Sequence, residues 1–73
     1  MTASTATLLA EALQLPTSEI TEDTGLETCA GWDSMAHFRV VAAIEEALDR
    51  PLSPSEIFEI TGYASVEALL TSG

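Results

Sequence analysis

Apolar residues recur along this chain at three- and four-residue steps, in groups separated by prolines, glycines and runs of Thr, Ser, Asp and Glu. From Ala6 to Leu15, Leu8, Leu9, Ala12, Leu13 and Leu15 fall on adjoining helical positions with Thr7, Glu11 and Gln14 between them, which predicts a first helix. Ser4 or Thr5 can cap its start. Pro16 is expected to end it, because the residue before a proline is pushed out of the helical region. Thr17 to Asp33 reads as a long loop in which Ile20 and Leu26 pin the chain to the core. A loop of that length lets the second helix run parallel to the first, and it calls for a topological or functional reason.

After Asp33, Met35, Phe38, Val41, Ile44 and Leu48 mark the strongest helix in the chain, with Arg39, Glu46 and Asp49 on other faces and Pro51 closing it. Ser53-Pro54-Ser55-Glu56 then combines a Ser cap, a Pro at the first helical position and a Glu three residues after the cap. This predicts a short third helix carrying Ile57, Phe58 and Ile60, ended near Gly62 by a left-handed glycine. Ser65 is expected to open a last helix with Val66, Leu69 and Leu70 facing inward. No two-residue alternation persists. The pattern predicts an all-α fold, a small four-helix bundle with a long loop between helices 1 and 2, as a single domain over residues 1–73.

Charge narrows the function classes. Twelve Asp plus Glu stand against Arg39 and Arg50, with no Lys, for a formal charge of −10 near pH 7. There is no basic patch to neutralise phosphates or to seek an anionic membrane, so nucleic acid and membrane partners are not expected. Basic protein surfaces are the natural partners. Because 47% of the residues are apolar and periodically placed, the chain should fold rather than behave as an acidic tail. A chain this short buries only about 60% of its unfolded surface, which argues against a deep catalytic cleft and an autonomous enzyme. Cys29 is the single cysteine, so an intramolecular disulfide is impossible and a metal site is not expected. A reducing cytoplasm fits this, as does the lack of a signal-like or bilayer-spanning apolar run. A monomer is expected. A chain that begins at Met1 close to helix 1 and ends at Gly73 just after helix 4 is expected to be free-standing.

The candidate chemistry gathers where the long loop meets the second helix, at Gly31-Trp32-Asp33-Ser34-Met35. Asp33 or Ser34 can serve there as an N-cap. Ser34 can also present its hydroxyl at an exposed helix start, where the dipole and free N–H groups accommodate a phosphate. Ser34 as a catalytic nucleophile lacks a partner set: the one His, His37, lies three residues on with no obvious carboxylate to orient it.

With this junction in view, the whole chain resembles the acyl carrier protein family, including its peptidyl and aminoacyl relatives. The likeness rests on Gly31-Trp32-Asp33-Ser34-Met35, which is similar to the family's Gly-x-Asp-Ser-Leu/Met attachment motif. It rests also on the helix ending Ile44-Glu45-Glu46-Ala47-Leu48, the long first loop, the acidic balance, the short third helix and Ser65-Val66-Glu67-Ala68-Leu69-Leu70. The resemblance implies that Ser34 is the attachment point for 4′-phosphopantetheine, transferred from coenzyme A by a separate Mg²⁺-dependent phosphopantetheinyl transferase. The chain would then be a substrate of other enzymes and not itself a catalyst. Its arm would carry an acyl thioester to partners such as acyl-loading enzymes, ketosynthases or acyltransferases of a fatty-acid, polyketide or other specialised pathway.

By the same resemblance Asp33 helps present Ser34 and meets a basic group on the transferase, a role compatible with capping. Met35, Ala36, Arg39, Val40 and Glu46 are the candidate docking residues, although Met35 also suits the core and Arg39 also suits a solvated helix face. Leu26, Val41, Ile57, Ile60 and Tyr63 are candidates to line an acyl cleft, joined by Phe58 and Val40, with most of them serving the core as well. Trp32 could pack over the loop or touch the arm. Fatty-acid carriers usually place acidic residues on the second helix soon after the serine, whereas here Ala36 and Arg39 stand there, which points to other partners. Glu45, Glu46 and Asp49 remain to steer a basic one. Ala30 replaces the larger apolar residue usual before the motif glycine and is expected to loosen the loop. The Gly62-Tyr63-Ala64 connection resembles that of polyketide or other specialised carriers. A peptidyl or aminoacyl carrier is the alternative within the class, though those more often place Gly-Gly before the motif. Outside it, an unmodified acidic helical adaptor would use Ser34 only as a cap.

Overall fold

A computed structural model describes residues 4–29 and 31–72, and these form four helices: α1 (Thr5–Leu13), α2 (Ser34–Leu48), α3 (Pro54–Glu59) and α4 (Tyr63–Ser72). The all-α reading holds, with one isolated antiparallel bridge, Gly25 to Gly62, and no strand among the described residues. α1 packs on α2 and α4, and α2 packs on α4. Leu8, Leu9 and Leu13 of α1, Val40, Val41 and Ile44 of α2, and Val66 of α4 bury one core, closed by Ile20, Trp32, Leu52 and Ile60 from the connections. The expectation about Ala30 lies outside the described residues.

Capping residues set the helix ends more sharply than apolar spacing does. Ser4, rather than Thr5, caps α1: its Oγ accepts the Thr7 N–H at 3.1 Å. The helix stops at Leu13, before Pro16 acts, because Gln14 adopts a left-handed conformation (φ 60°) and its N–H turns back to Ala10 and Glu11. Pro16 instead opens a short 3-10 turn, Thr17–Glu19. The capping box at α3 forms as expected: Ser53 Oγ accepts the Glu56 N–H and Glu56 accepts the Ser53 N–H. Arg50 adds a fork of two hydrogen bonds to the same carboxylate, and these, with the Ser53 N–H, hold the Glu56 carboxyl down to about 2.

Three expectations are corrected. The inward face of α2 is Ala36, Val40, Val41 and Ile44, while Met35 and Phe38 stand 67% and 72% exposed. Both stripes satisfy helical spacing, and small or β-branched side chains fit the close approach to α1 and α4 where longer ones do not. Second, Gly62 does not end α3 in a left-handed conformation: Ile60 closes that helix in extended geometry, and the described glycines all have negative φ. Third, α4 begins at Tyr63, not at Ser65, so Tyr63 and Ala64 are helical rather than connecting chain. Ser65 folds back from inside the first turn, accepting from the Thr61 and Gly62 N–H groups and donating to the Gly62 carbonyl.

The long loop is ordered by its own hydroxyls. Thr24 Oγ1 accepts the Thr21 N–H, and Thr21 Oγ1 accepts the Asp23 N–H. Thr28 Oγ1 accepts the Gly25 N–H and donates to the Asp23 carbonyl. Ile20 pins the loop as expected, but Leu26 stays exposed, and buried Trp32 supplies the second anchor. The loop is stitched to the α3–α4 connection at the bridge, where the Leu26 N–H donates to Thr61 O at 3.0 Å and the Tyr63 N–H to Thr24 O at 2.8 Å.

A Cβ at Gly62 would lie 2.9 Å from the Thr24 carbonyl, and one at Gly25 would lie 2.9 Å from that of Thr61. Both oxygens are the bridge's acceptors, so neither can yield without losing its hydrogen bond. Gly62→Ala is therefore expected to lower stability by about 1–3 kcal/mol in urea unfolding, the usual cost of overpacking. Gly31→Ala, whose Cβ would meet only Cys29 Sγ at 4.0 Å, should stay within about 0.5 kcal/mol of the parent.

Candidate functional site

The first N–H groups of a helix have no partner within it, and a side chain just ahead usually supplies one. For α2 that side chain is Asp33: its Oδ1 accepts the Ala36 N–H at 2.8 Å, while its carbonyl accepts the His37 N–H at 2.8 Å. Ser34 is the first helical residue, exposed, and its hydroxyl takes no hydrogen bond among the described residues. Of the two readings of the junction, the cap belongs to Asp33. Its neighbour's oxygen is left accessible at the positive end of a 15-residue helix.

Beside Ser34 lies an open cavity of about 550 Å³ lined by Leu26, Trp32, Asp33, Ser34, His37, Ile57, Phe58 and Ile60. The long loop, the start of α2 and α3 each contribute a wall, which brings the sequence-predicted Leu26, Trp32, Asp33, Ile57, Phe58 and Ile60 to Ser34. Val41 and Tyr63 are not part of this lining. Val41 is buried in the core, and Tyr63 lies in a separate hollow between the loop and the start of α4. Phe58, 87% exposed, forms a rim rather than core.

The candidate docking residues separate by burial. Ala36 and Val40 have no exposed surface, because they face α1 and α4, so they cannot meet a partner directly. Arg39 is half-buried, and its Nε donates to the Ala12 carbonyl at 2.9 Å near the end of α1, a structural tie. Met35 and Glu46 are exposed as a docking surface requires. Glu45, expected to steer basic partners, accepts the Leu52 N–H at 2.8 Å and holds the turn into α3. Phe38, which periodicity assigns to the core, is exposed one turn after Ser34.

Sequence reasoning did not place His37 in the site. The Trp32 indole Nε1–H donates to His37 Nδ1 at 3.1 Å, with the ring centroids 6.2 Å apart. The signal available was spacing: residues three apart on a helix share a face, so Ser34 and His37 look the same way. Trp32 is buried over the loop, as its packing reading expects, and it also walls the cavity.

Because Asp33 holds the cap, Asp33→Ala should cost about 0.5–2 kcal/mol in urea unfolding, the range for a lost N-cap. Ser34→Ala should change stability by less than about 0.5 kcal/mol, as an exposed substitution away from any such contact does. A Ser34→Ala loss as large as that of Asp33→Ala would return the cap to the serine.

A family model described as phosphopantetheine attachment site matches residues 5–70, nearly the whole chain, from the start of α1 into α4. A comparison with curated proteins returns no significant match. Proteins of the matched family bear 4′-phosphopantetheine and are in general substrates of other enzymes rather than catalysts. The four-helix fold, the exposed serine at the start of α2 and the family match agree: this chain belongs to the phosphopantetheine attachment site family, as a carrier protein for that prosthetic group.

Proposed function

We propose that Ser34 is the attachment residue and that the protein is an acyl carrier of a fatty-acid, polyketide or other specialised biosynthetic pathway. The observation that carries this reading is the separation of roles at the junction: Asp33 satisfies the helix start, and the Ser34 hydroxyl beside it is exposed and unengaged. In the transfer, Ser34 Oγ forms a bond to the pantetheine-side phosphorus of coenzyme A. The pyrophosphate bond breaks, 3′,5′-ADP departs, and the hydroxyl proton passes to a base of the transferase. When bound, the group supplies a terminal thiol that holds an acyl group as a thioester. The residues fit it: Ser34 offers an accessible oxygen, the N–H groups of Ser34 and Met35 stand at the positive end of α2, and Leu26, Ile57, Phe58 and Ile60 give an apolar wall alongside.

The partners follow from the surface. A phosphopantetheinyl transferase and acyl-handling enzymes must approach the Ser34 end of α2. There they meet Met35 and Phe38 exposed, with Asp33 and, further along, Glu46 and Asp49. Such a face combines an apolar contact with general acidity, so basic partners are drawn in by charge and held by apolar burial. No described helix is long and apolar enough to cross a membrane. We take residues 1–73 as one carrier domain.

Incubation with coenzyme A, Mg²⁺ and a broad-specificity phosphopantetheinyl transferase tests the reading by intact mass. The parent should gain one phosphopantetheine and Ser34→Ala none. A gain on Ser34→Ala would move the site elsewhere. No gain on either protein, under conditions that modify a control carrier, would favour the unmodified adaptor.

A further inference from the structure

His37 has no part in the attachment step, yet the fold ties it to the same place. It lies three residues after Ser34 on the same face of α2, and both line one cavity. Buried Trp32 donates its indole N–H to His37 Nδ1. A neutral imidazole has one donor nitrogen and one acceptor, so a ring that accepts at Nδ1 carries its proton on Nε2. Trp32 therefore fixes both the tautomer and the plane of the ring, and leaves one N–H donor to offer.

The surrounding charges favour an anion as the acceptor. The sequence has two Arg and no Lys, and both Arg side chains are engaged elsewhere: Arg39 with the Ala12 carbonyl and Arg50 with Glu56. His37 is thus the remaining side chain able to become cationic. The other titratable group in the cavity wall is Asp33, at the end of the loop, whose carboxylate is engaged with the Ala36 N–H. The loop's Leu26, α3's Ile57 and Phe58, and Ile60 just after α3 present apolar surface. An anion fixed on Ser34 would meet the N–H groups at the start of α2 and, on the same helix face, the imidazole.

On the reading that Ser34 carries the prosthetic group, we propose that His37 is a positioning residue for that group, donating Nε2–H to the phosphodiester on Ser34, with Trp32 holding the imidazole in the donating tautomer. Protonation of His37 adds charge beside the phosphodiester and takes away the Nδ1 lone pair that accepts from Trp32.

The test is ³¹P NMR of the modified protein between about pH 5 and about pH 8, the range over which histidine changes charge. A phosphodiester lacks the second ionisation, near pH 6, of a phosphomonoester, so any inflection in this window reports a neighbour. The parent should show a sigmoidal shift, His37→Gln a flat one, and Trp32→Phe a shift of reduced amplitude, because the ring is no longer held toward the phosphodiester. A flat profile in the parent, or an inflection that survives in His37→Gln, overturns the proposal while leaving attachment at Ser34 intact. A protein that acquires no phosphorus overturns the attachment reading, and this proposal with it.

Discussion

The start of α2 needs an acceptor for its unpaired N–H groups, and the chain offers two adjacent candidates, Asp33 and Ser34. The fold uses the carboxylate: Asp33 Oδ1 meets the Ala36 N–H, and the serine falls on the first helical residue with its oxygen free. Most of the site follows from that choice. Were the serine the cap, the helix would begin one residue later, and its hydroxyl would be occupied by the backbone that it now leaves alone. The Asp-Ser pair is thus a division of labour, in which one side chain ends the loop and the next is presented to other molecules.

The loop before this junction keeps it in place by means other than helical packing. Ile20 and Trp32 are its buried anchors, the threonine hydroxyls of residues 21, 24 and 28 close its turns, and the Gly25–Gly62 bridge joins it to the connection between α3 and α4. On the other side of that bridge, Ile57, Phe58 and Ile60 line the same cavity as Ser34 and His37. The site is therefore assembled from the loop, the start of α2 into which it runs, and the α3 segment distant in sequence, with Ser34 on the most regular of them.

Much of this was legible in the sequence, because the informative residues act locally. Ser53-Pro54-Ser55-Glu56 announces a capping box, and Gly31-Trp32-Asp33-Ser34-Met35 marks the junction by residue type and position. What the sequence left undetermined depends on close approach between segments. Met35 and Phe38 are as helically spaced as Ala36 and Val40, and only the nearness of α1 and α4 decides which pair is buried. Gly62 reads as a helix terminator but serves a backbone contact with Thr24, a partner 38 residues earlier in the chain. Arg39 and Glu45 look like surface charges, yet each holds a backbone group of a neighbouring segment. Spacing puts His37 on the same helix face as Ser34, but its hydrogen bond to Trp32 is not encoded by composition or periodicity.

The central claim, that Asp33 and not Ser34 satisfies the start of α2, is tested most directly by hydrogen exchange at the Ala36 amide, followed by NMR. That amide should be protected in the parent and equally in Ser34→Ala, and should lose its protection in Asp33→Ala while amides in the middle of α2 keep theirs. Loss of protection in Ser34→Ala, with Asp33→Ala unchanged, would contradict the account, because the serine would then be bound to its own helix and not free to be a substrate.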